Sequence, residues 1–170
     1  MATKAAIGLC AILALLAVPS DSLAQEVTEA PPNLQAALLS KAMAFDKTLS
    51  GNITIYVLGA PAVAEELGKL KGRSIGGATL ASVEEGDALP SSVPAAMFIG
   101  DESLLADALA FTQSNHVLSL TGLPHLVQQG VTLGVGVVAS KPKILLNVSS
   151  SKQEAREWDQ TILSLAQIHK

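Results

Sequence analysis

The chain of 170 residues is 49% hydrophobic and 15% charged, with a formal net charge of -4 at pH 7. This composition describes one compact domain with a sizeable core and excludes a disordered chain. The acidic balance and the lack of any lysine or arginine cluster in the sequence remove the counterion release on which nucleic-acid binders depend, so we expect no nucleic-acid partner.

Residues 1–24 have the composition of a cleavable secretory signal peptide. After a short positive start, residues 5–18 are almost wholly apolar, and Ser22-Leu23-Ala24 offers a small-residue cleavage site. The apolar run of about 14 residues is shorter than the roughly 20 that a membrane-spanning helix needs, which disfavours an uncleaved anchor. Cleavage after Ala24 predicts an exported protein that loses its single cysteine, Cys10, and that does not insert into a membrane.

The next segment is predicted to be a tail followed by an amphipathic helix. Residues 25–33 (QEVTEAPPN) are polar and contain two prolines, so we predict a short flexible tail there. Asn33 is the candidate N-cap of the helix, in which apolar residues recur at helical spacing. The recurring positions are Leu34, Ala37, Leu38, Lys41, Ala42, Phe45 and Leu49.

A buried strand follows, and the rest of the chain is organised around it. Ile53–Leu58 is a dense run of residues that favour β-structure, which is typical of a strand covered on both faces by helices. Gly59 permits a tight turn, and Pro61 suits the first position of a helix. We therefore predict the first central strand of a parallel sheet, at whose carboxyl end α/β proteins place their ligands.

Strands and helices then alternate to the end of the chain. We predict, in order, a helix from Pro61, strands at 78–83 and 95–99, a helix at 103–113, a strand at 117–120, a short helix at 123–129, strands at 131–139 and 143–148, and a helix at 149–170. The link of residues 140–142 is too short for a crossover helix, so the last two strands form an antiparallel hairpin. The predicted fold class is α/β: a single-domain helix–sheet–helix sandwich over residues 34–170, with a mostly parallel sheet and a C-terminal antiparallel hairpin.

Motifs for catalysis or cofactor binding are weak. Residues 134–139 (GVGVVA) match a dinucleotide fingerprint by letter, but the valines continue a strand where a helix would have to begin. We interpret these glycines as positions of close backbone approach. His116, His125 and His169 lack the spacing of metal ligands, and no serine lies in a nucleophile-elbow motif. We therefore predict no enzyme activity, no cofactor and no metal.

A group of residues directly after the predicted strands is the candidate ligand site. If the strands are parallel, the turns after them converge along one rim, where backbone amides and two polar side chains would line a small-ligand crevice. Tight turns by themselves also account for the glycines. The rim residues are Gly59, Gly100, Asp101, Thr121 and Gly122.

The ordered series of segments resembles the YfiR-like family of bacterial periplasmic proteins. The similar segments are ITIYVLG (53–59), GRSIGG (72–77), AAMFIG (95–100), VLSLT (117–121), residues 129–138, KILLN (143–147) and ILSLAQI (162–168). The chain departs from the family at the end of the first helix. The family usually has an aromatic first helix that ends in Trp-Pro, whereas this chain has residues 44–47 (AFDK) there. Because the mature chain has no cysteine, the disulfide-linked regulation of the family is not carried over.

The resemblance implies regulation rather than catalysis. It implies a periplasmic, non-enzymatic repressor that binds the periplasmic sensor part of an inner-membrane diguanylate cyclase, so that release of the repressor raises cyclic-di-GMP and promotes biofilm formation. An inner-membrane sensor kinase is the alternative to the diguanylate cyclase as a partner. An apolar helix at each end of the domain suits partner docking or a homodimer. The candidate surface residues are Leu38, Phe45, Trp158 and Ile162, for which core packing is the alternative.

Two further hypotheses stay open at this point. One is a small-ligand-binding domain resembling one lobe of a periplasmic solute receptor, which would use the rim and would need a deep pocket over the strand ends. The other is an enzyme with an unrecognised site, which would need a buried polar cluster with strongly shifted ionisations.

Overall fold

A computed structural model describes residues 26–170 as an eight-stranded sheet with helices packed against it. The predicted signal peptide of residues 1–24, with Cys10, lies outside the described residues. The strands are β1 (Gly51–Leu58), β2 (Ser74–Ile75), β3 (Ala78–Gly86), β4 (Ala96–Ile99), β5 (Leu118–Thr121), β6 (Leu133–Val138), β7 (Lys141–Asn147) and β8 (Ala166–His169). The helices are α1 (Pro32–Met43), α2 (Pro61–Gly68), α3 (Leu105–Asn115), α4 (His125–Gln128), α5 (Val148–Gln153) and α6 (Gln160–Leu165), with a 3-10 turn at Glu102–Leu104.

The strand order β2-β3-β1-β4-β5-β6-β7-β8 confirms the predicted α/β class. β1 pairs in parallel with β3 and β4, and parallel pairing continues through β5 to β6. β6 and β7 form the predicted antiparallel hairpin. Its turn residues, Ala139 and Ser140, have φ angles of 47° and 63°, as the type I′ turn of a two-residue hairpin requires. The short β2, which the sequence pattern does not predict, adds an antiparallel edge beside β3.

Side chains of β1 alternate between two apolar clusters. Ile53, Ile55 and Val57 belong to a larger cluster that also contains residues of α1, α2 and α6. Tyr56 and Leu58 belong to a smaller cluster with residues of α3 and α4. Because both faces of β1 are buried, its apolar run is continuous rather than alternating.

The first helix differs from the prediction at both ends. It begins at Pro32 after the extended Pro31, and Asn33 does not cap it, because proline itself suits the first helical position. It ends at Met43, so the predicted positions Phe45 and Leu49 lie beyond it. The buried face is also rotated from the predicted one, and consists of Gln35, Ala36, Leu39, Ala42 and Met43.

The predicted helix over residues 149–170 is wrong. The chain forms α5, then a non-helical stretch, α6 and β8. Ala155, with a φ of 55°, lies just beyond the end of α5, and Asp159 caps α6 by accepting the N–H of Thr161 at 2.9 Å. β7 would otherwise present an open edge, and β8 pairs with it in parallel. Strand pairing therefore overrides a helical pattern at Ala166–His169.

The six helices of residues 26–170 are all short. None of them combines the length and the apolar character that crossing a membrane would require.

Candidate functional site

The turns after β1 and β4 meet at the carboxyl edge of the sheet, where the sequence predicts a common rim. Leu58 and Ile99 are paired at the ends of the two strands. Gly59 has a φ of 68°, which favours glycine, and a Cβ on it would lie 2.7 Å from the Cβ of Asp101. A Cβ on Gly100 would lie 3.2 Å from the carbonyl oxygen of Gly59. These turns are therefore in direct contact, and the space between them is filled.

The two polar side chains of the rim form local hydrogen bonds. Asp101 Oδ1 accepts the hydroxyl of Ser103 at 2.7 Å and its backbone N–H at 2.9 Å, and these bonds hold the pKa of Asp101 below its usual value. Thr121 Oγ1 donates to the carbonyl of Ile99 at 2.9 Å and accepts the N–H of Leu123 at 3.0 Å. Both side chains therefore stabilise the turns that carry them.

The space beside Gly122 is filled by Gln35 of α1, which the sequence analysis missed. Gln35 is 1% exposed, and a Cβ on Gly122 would collide with its carboxamide. Gln35 Nε2 donates to the carbonyl of Ala30 at 2.6 Å and to Glu29 Oε1 at 3.1 Å. Its Oε1 has no hydrogen-bond partner among the described residues. The signal available in the sequence is a polar residue surrounded by apolar ones in a helix.

Residues 26–30, which we call the N-terminal strap, cover the same edge of the sheet. The sequence predicts a flexible tail here, but Thr28 and Val137 exchange two backbone hydrogen bonds of 2.9 Å, and Ala30 is 2% exposed. The β-branched pair Val27-Thr28 favours this extended conformation. The strap is therefore paired with β6, unlike the flexible tail that the sequence predicts, and Gln35 fills the Gly122 end of the predicted rim. A cleft of about 230 Å³ lies at the Gly59 end, between the ends of β1 and β3.

The opposite, amino edge of the sheet holds a buried acid that the sequence analysis also missed. Glu154 is 0% exposed. Its Oε2 accepts the N–H of Ser119 at 3.0 Å and the hydroxyl of Thr132 at 2.7 Å, while its Oε1 has no partner among residues 26–170. Burial raises the pKa of Glu154, and the hydrogen bonds from Ser119 and Thr132 oppose that rise. No local pattern marks this acid, because its two donors on Oε2 lie 35 and 22 residues away in sequence.

Residues 154–159, which we call the C-terminal clasp, bind the link between α1 and β1. Two backbone hydrogen bonds of 2.8 Å join the clasp to residues 45–47. Arg156 Nη1 lies 3.6 Å from Asp46 Oδ2, and the two side chains are 8% and 0% exposed. Arg156 also donates to the hydroxyl of Thr48 at 3.0 Å. The clasp therefore contains an ion pair, Asp46 with Arg156, that is shielded from solvent.

The four predicted docking residues lie near the clasp but differ in exposure. Ile162 is fully buried and belongs to the larger core cluster, so it forms no part of an accessible surface. Leu38, Phe45 and Trp158 are half-buried and pack against that cluster. Trp158 Nε1 also donates to Ser151 Oγ at 2.6 Å. Core packing therefore accounts for most of the buried area of this group.

Exposed apolar side chains lie in the neighbouring helix and strand instead. Leu163, Leu165 and Ile168, which we call the apolar edge, are 45%, 56% and 39% exposed. They belong to α6 and β8, and β8 is the last strand in the order of the sheet. Its outer backbone groups have no strand partner among the described residues, so the apolar edge lies beside an open sheet edge.

A cleft of about 510 Å³ lies between the strap, α4 and β8. Its lining residues are Glu26, Val27, Pro124, His125, Gln128, Leu145, Gln167 and His169. Two of the three histidines of the chain therefore meet here. The third, His116, lies at the C-cap of α3 with a φ of 54°.

The side chains of this cleft do not form a metal site. His125 Nε2 lies 3.2 Å from Glu102 Oε2 in an exposed pair. The described part of the chain contains no group of three histidine, cysteine, aspartate or glutamate residues placed to hold a metal ion. The polar and apolar lining suits a small polar molecule more than a cation.

Solved structures with a similar fold include the following one. It is described as a conserved domain protein from Vibrio cholerae O1 biovar El Tor strain N16961, and it matches 82% of this chain with 14% sequence identity and a TM-score of 0.55. The match spans 60% of the length of that protein. No protein-family model matches the chain, and no curated protein does so. At 14% identity the likeness concerns the fold alone.

Proposed function

We propose that this chain is a non-enzymatic periplasmic regulator that binds the periplasmic sensor part of an inner-membrane signalling protein of the diguanylate cyclase type, and so modulates cyclic-di-GMP. The observation that carries the proposal is the apolar edge of Leu163, Leu165 and Ile168 beside β8. Apolar side chains next to an open strand are typical of a surface that another protein covers. The resemblance to the YfiR-like family supplies the kind of partner.

The geometry of β8 suggests how the partner would bind. An open strand accepts an extended segment by adding it to the sheet, so that backbone hydrogen bonds give affinity and side-chain contacts give specificity. Leu165 directly precedes this strand and Ile168 lies in it, and both would be covered by such a segment. We propose that the sensor part supplies it.

The polar groups of the two sheet edges support binding rather than catalysis. Asp101 and Thr121 hydrogen-bond within their own turns, and Glu154 is closed to solvent. A general acid or base has to reach the proton that it transfers. The arrangement of Glu154 therefore supports a structural use of its carboxylate.

Cellular cyclic-di-GMP is the direct test of this proposal. We expect deletion of the gene to raise cyclic-di-GMP and expression of the wild-type chain to lower it again. The double variant Leu165→Gln with Ile168→Gln should fail to lower it, because polar side chains weaken an apolar contact. Leu89→Gln is the matched control, since Leu89 is also apolar and 38% exposed but lies in another part of the surface.

Two results would contradict the proposal. Cyclic-di-GMP that does not change on deletion would exclude the regulatory role, and equal activity of the double variant and the Leu89→Gln control would exclude the apolar edge as the docking surface. Crosslinking in intact cells should also recover a membrane protein with a periplasmic sensor domain. The mature protein isolated from the periplasm should begin at Gln25.

The cleft lined by His125 and His169 favours a second candidate function, the binding of a small polar ligand. Its volume of about 510 Å³ is in the range of small-molecule sites. This cleft differs from the predicted crevice at the rim, where Gln35 fills the space beside Gly122. A metabolite that raises the melting temperature of the wild type, but not that of a Gln128→Ala with Gln167→Ala variant, would support it.

A further inference from the structure

The second half of β6 extends beyond its pairing with β5. β5 pairs with β6 at Leu133 and Gly134, whereas β6 continues to Val138. Among the described residues, the part of β6 beyond Gly134 pairs on this side with the strap, through the bridge between Thr28 and Val137. We call residues 135–138 the β6 edge.

Glycine and proline adapt this edge to an extended chain. A Cβ on Gly136 would lie 2.6 Å from Val27 Cγ1 and 2.7 Å from the carbonyl oxygen of Thr28, so the missing side chain is what lets the strap approach. Pro142 faces Val137 across the hairpin. The N–H and C=O of Val137 both bond to Thr28. Val137 therefore takes no hydrogen bond from residue 142, and proline, which has no N–H, is tolerated at that position. The β6 edge is therefore a groove shaped for one additional strand.

The strap is held at two places. Thr28 makes one bridge of two backbone hydrogen bonds with Val137, to which its hydroxyl adds a contact of 3.3 Å to the same carbonyl, and Gln35 of α1 bonds to Glu29 and to the buried Ala30. Glu26, Thr28 and Glu29 are exposed. The strap joins α1 at Pro31, whose extended φ and ψ of -60° and 151° place it outside the helix. Displacement of residues 26–28 therefore breaks the bridge to Val137 while the bonds of Glu29 and Ala30 to Gln35 can remain.

Charges around the groove are complementary to an acidic segment. The strap carries Glu26 and Glu29, and β7 carries the exposed Lys141 and Lys143. Lys143 is paired with Gly136. Because residues paired across antiparallel strands share a face, the side chain of Lys143 projects from the face of the sheet on which Val27 lies.

We propose that the β6 edge is a binding site for an extended acidic segment of a partner protein, and that the strap is its occupant within the same chain. The partner segment would place a small β-branched residue over Gly136, exchange two backbone hydrogen bonds with Val137, and carry carboxylates on either side. This surface lies apart from the apolar edge of the proposed function, and the inference stands whether or not that function holds.

Peptide binding to the full chain tests this proposal. A fluorescent peptide with the sequence of residues 25–30 (QEVTEA) is titrated with the wild type and with Thr28→Pro, and its anisotropy is measured. Thr28→Pro removes the N–H that bonds to Val137 and so weakens the binding of the strap in the groove. We expect the variant to bind the peptide at least about tenfold more tightly than the wild type, because the strap competes in the wild type.

Two matched controls distinguish specific binding of the peptide in the groove from nonspecific binding elsewhere on the protein. Adding Gly136→Ala to Thr28→Pro should reduce peptide affinity at least about tenfold, because a methyl group would occupy the place of Val27. A peptide with both glutamates replaced by glutamine should bind at least about threefold more weakly at low salt. If folded Thr28→Pro does not bind the peptide, or binds a peptide with proline in place of threonine equally well, the proposal is overturned.

Hydrogen exchange in the wild type gives a result that does not depend on the variant folding. The amides of Thr28 and Val137 should exchange at least about 100-fold faster than those of β1, because the strap opens without global unfolding. Exchange of these amides only through global unfolding would show a permanent strap and would also overturn the proposal.

Discussion

The N-terminal strap and the C-terminal clasp close opposite edges of one sheet by different chemistry. At the carboxyl edge, the strap is held by backbone hydrogen bonds and by the neutral carboxamide of Gln35. At the amino edge, the clasp is held by the carboxyl group of Glu154 and by the ion pair of Asp46 with Arg156. Gln35 and Glu154 are both buried, and each has one side-chain oxygen without a partner among the described residues.

The difference concerns the two buried polar groups. The carboxamide of Gln35 has the same charge at every pH, whereas a buried carboxyl loses hydration when it ionises. The free energy that holds the clasp closed should therefore depend on pH and on charge pairing. The contact between Gln35 and the strap should depend on packing and on the hydrogen bonds of a neutral carboxamide.

Removal of Arg156 should have the largest effect on stability. Arg156→Met leaves the carboxylate of Asp46 buried without a cation, and loss of one partner of a buried ion pair costs about 3 to 5 kcal/mol. Urea unfolding at pH 7 measures this loss. Asp46→Asn in the same chain should recover part of it, because the unpaired charge is then removed.

Lys47→Met is the matched control for this prediction. Lys47 Nζ lies 3.6 Å from Asp159 Oδ2, with side chains 56% and 43% exposed, and exposed pairs contribute less than about 1 kcal/mol. Similar losses for Lys47→Met and Arg156→Met would show that burial of the Asp46 pair does not decide its energy.

Substitution of Glu154 should change how stability depends on pH. Its pKa is higher in the folded than in the unfolded chain, so its stabilising contribution is complete below the ordinary value of 4.5 and is lost as the pH rises through the folded pKa. Glu154→Gln should not show this loss, so its unfolding free energy relative to the wild type should grow as the pH rises. Parallel curves for the two proteins would contradict a raised pKa.

Glu154→Ala separates the hydrogen bonds of this side chain from its charge. The N–H of Ser119 and the hydroxyl of Thr132 would lose their acceptor, and each unsatisfied buried donor costs about 1 to 3 kcal/mol. We therefore expect a loss of about 2 to 4 kcal/mol at pH 5 by urea unfolding. Glu154→Gln retains an acceptor oxygen and should lose less at the same pH.

A substitution at Gly122 tests close packing at the carboxyl edge. Gly122→Ala brings a methyl group into the carboxamide of Gln35, and overpacking of this kind costs about 1 to 3 kcal/mol. In a chain that already carries Gln35→Ala the same change should cost less, because the colliding group is gone. Additive losses in this double-mutant cycle would exclude the contact.

The sequence predicted the parts of the fold that local patterns determine. The apolar run Ile53–Leu58, the turn at Gly59 and the helix from Pro61 are local signals, and the link of residues 140–142 is short enough to require a hairpin. The last residues were mistaken for helix because β8 exists only through its pairing with β7. That pairing depends on an open edge elsewhere in the sheet, which no local window contains.

The candidate site was less predictable than the fold for the same reason. Parallel strands place Gly59 and Gly100 at one edge, and this placement follows from the sequence. Whether the edge is open depends on Gln35 and on the strap, whose bridge joins Thr28 to Val137, 109 residues away. A polar tail with two prolines has no local sign of such a partner.

Disruption of the strap should cause the smallest loss of stability. It tests the difference between the strap and the clasp most directly. Thr28→Pro removes one backbone hydrogen bond to Val137 at an exposed position, and one such bond contributes about 1 kcal/mol. Because no ionisable group takes part in that bridge, the loss should be the same between about pH 5 and pH 8. The difference between Glu154→Gln and the wild type should grow as the pH rises from 4.5 toward the folded pKa of Glu154. If the loss from Thr28→Pro instead followed pH in the same way, the two edges would be coupled through the sheet, and the strap would sense the ionisation of Glu154 from the opposite end of β6.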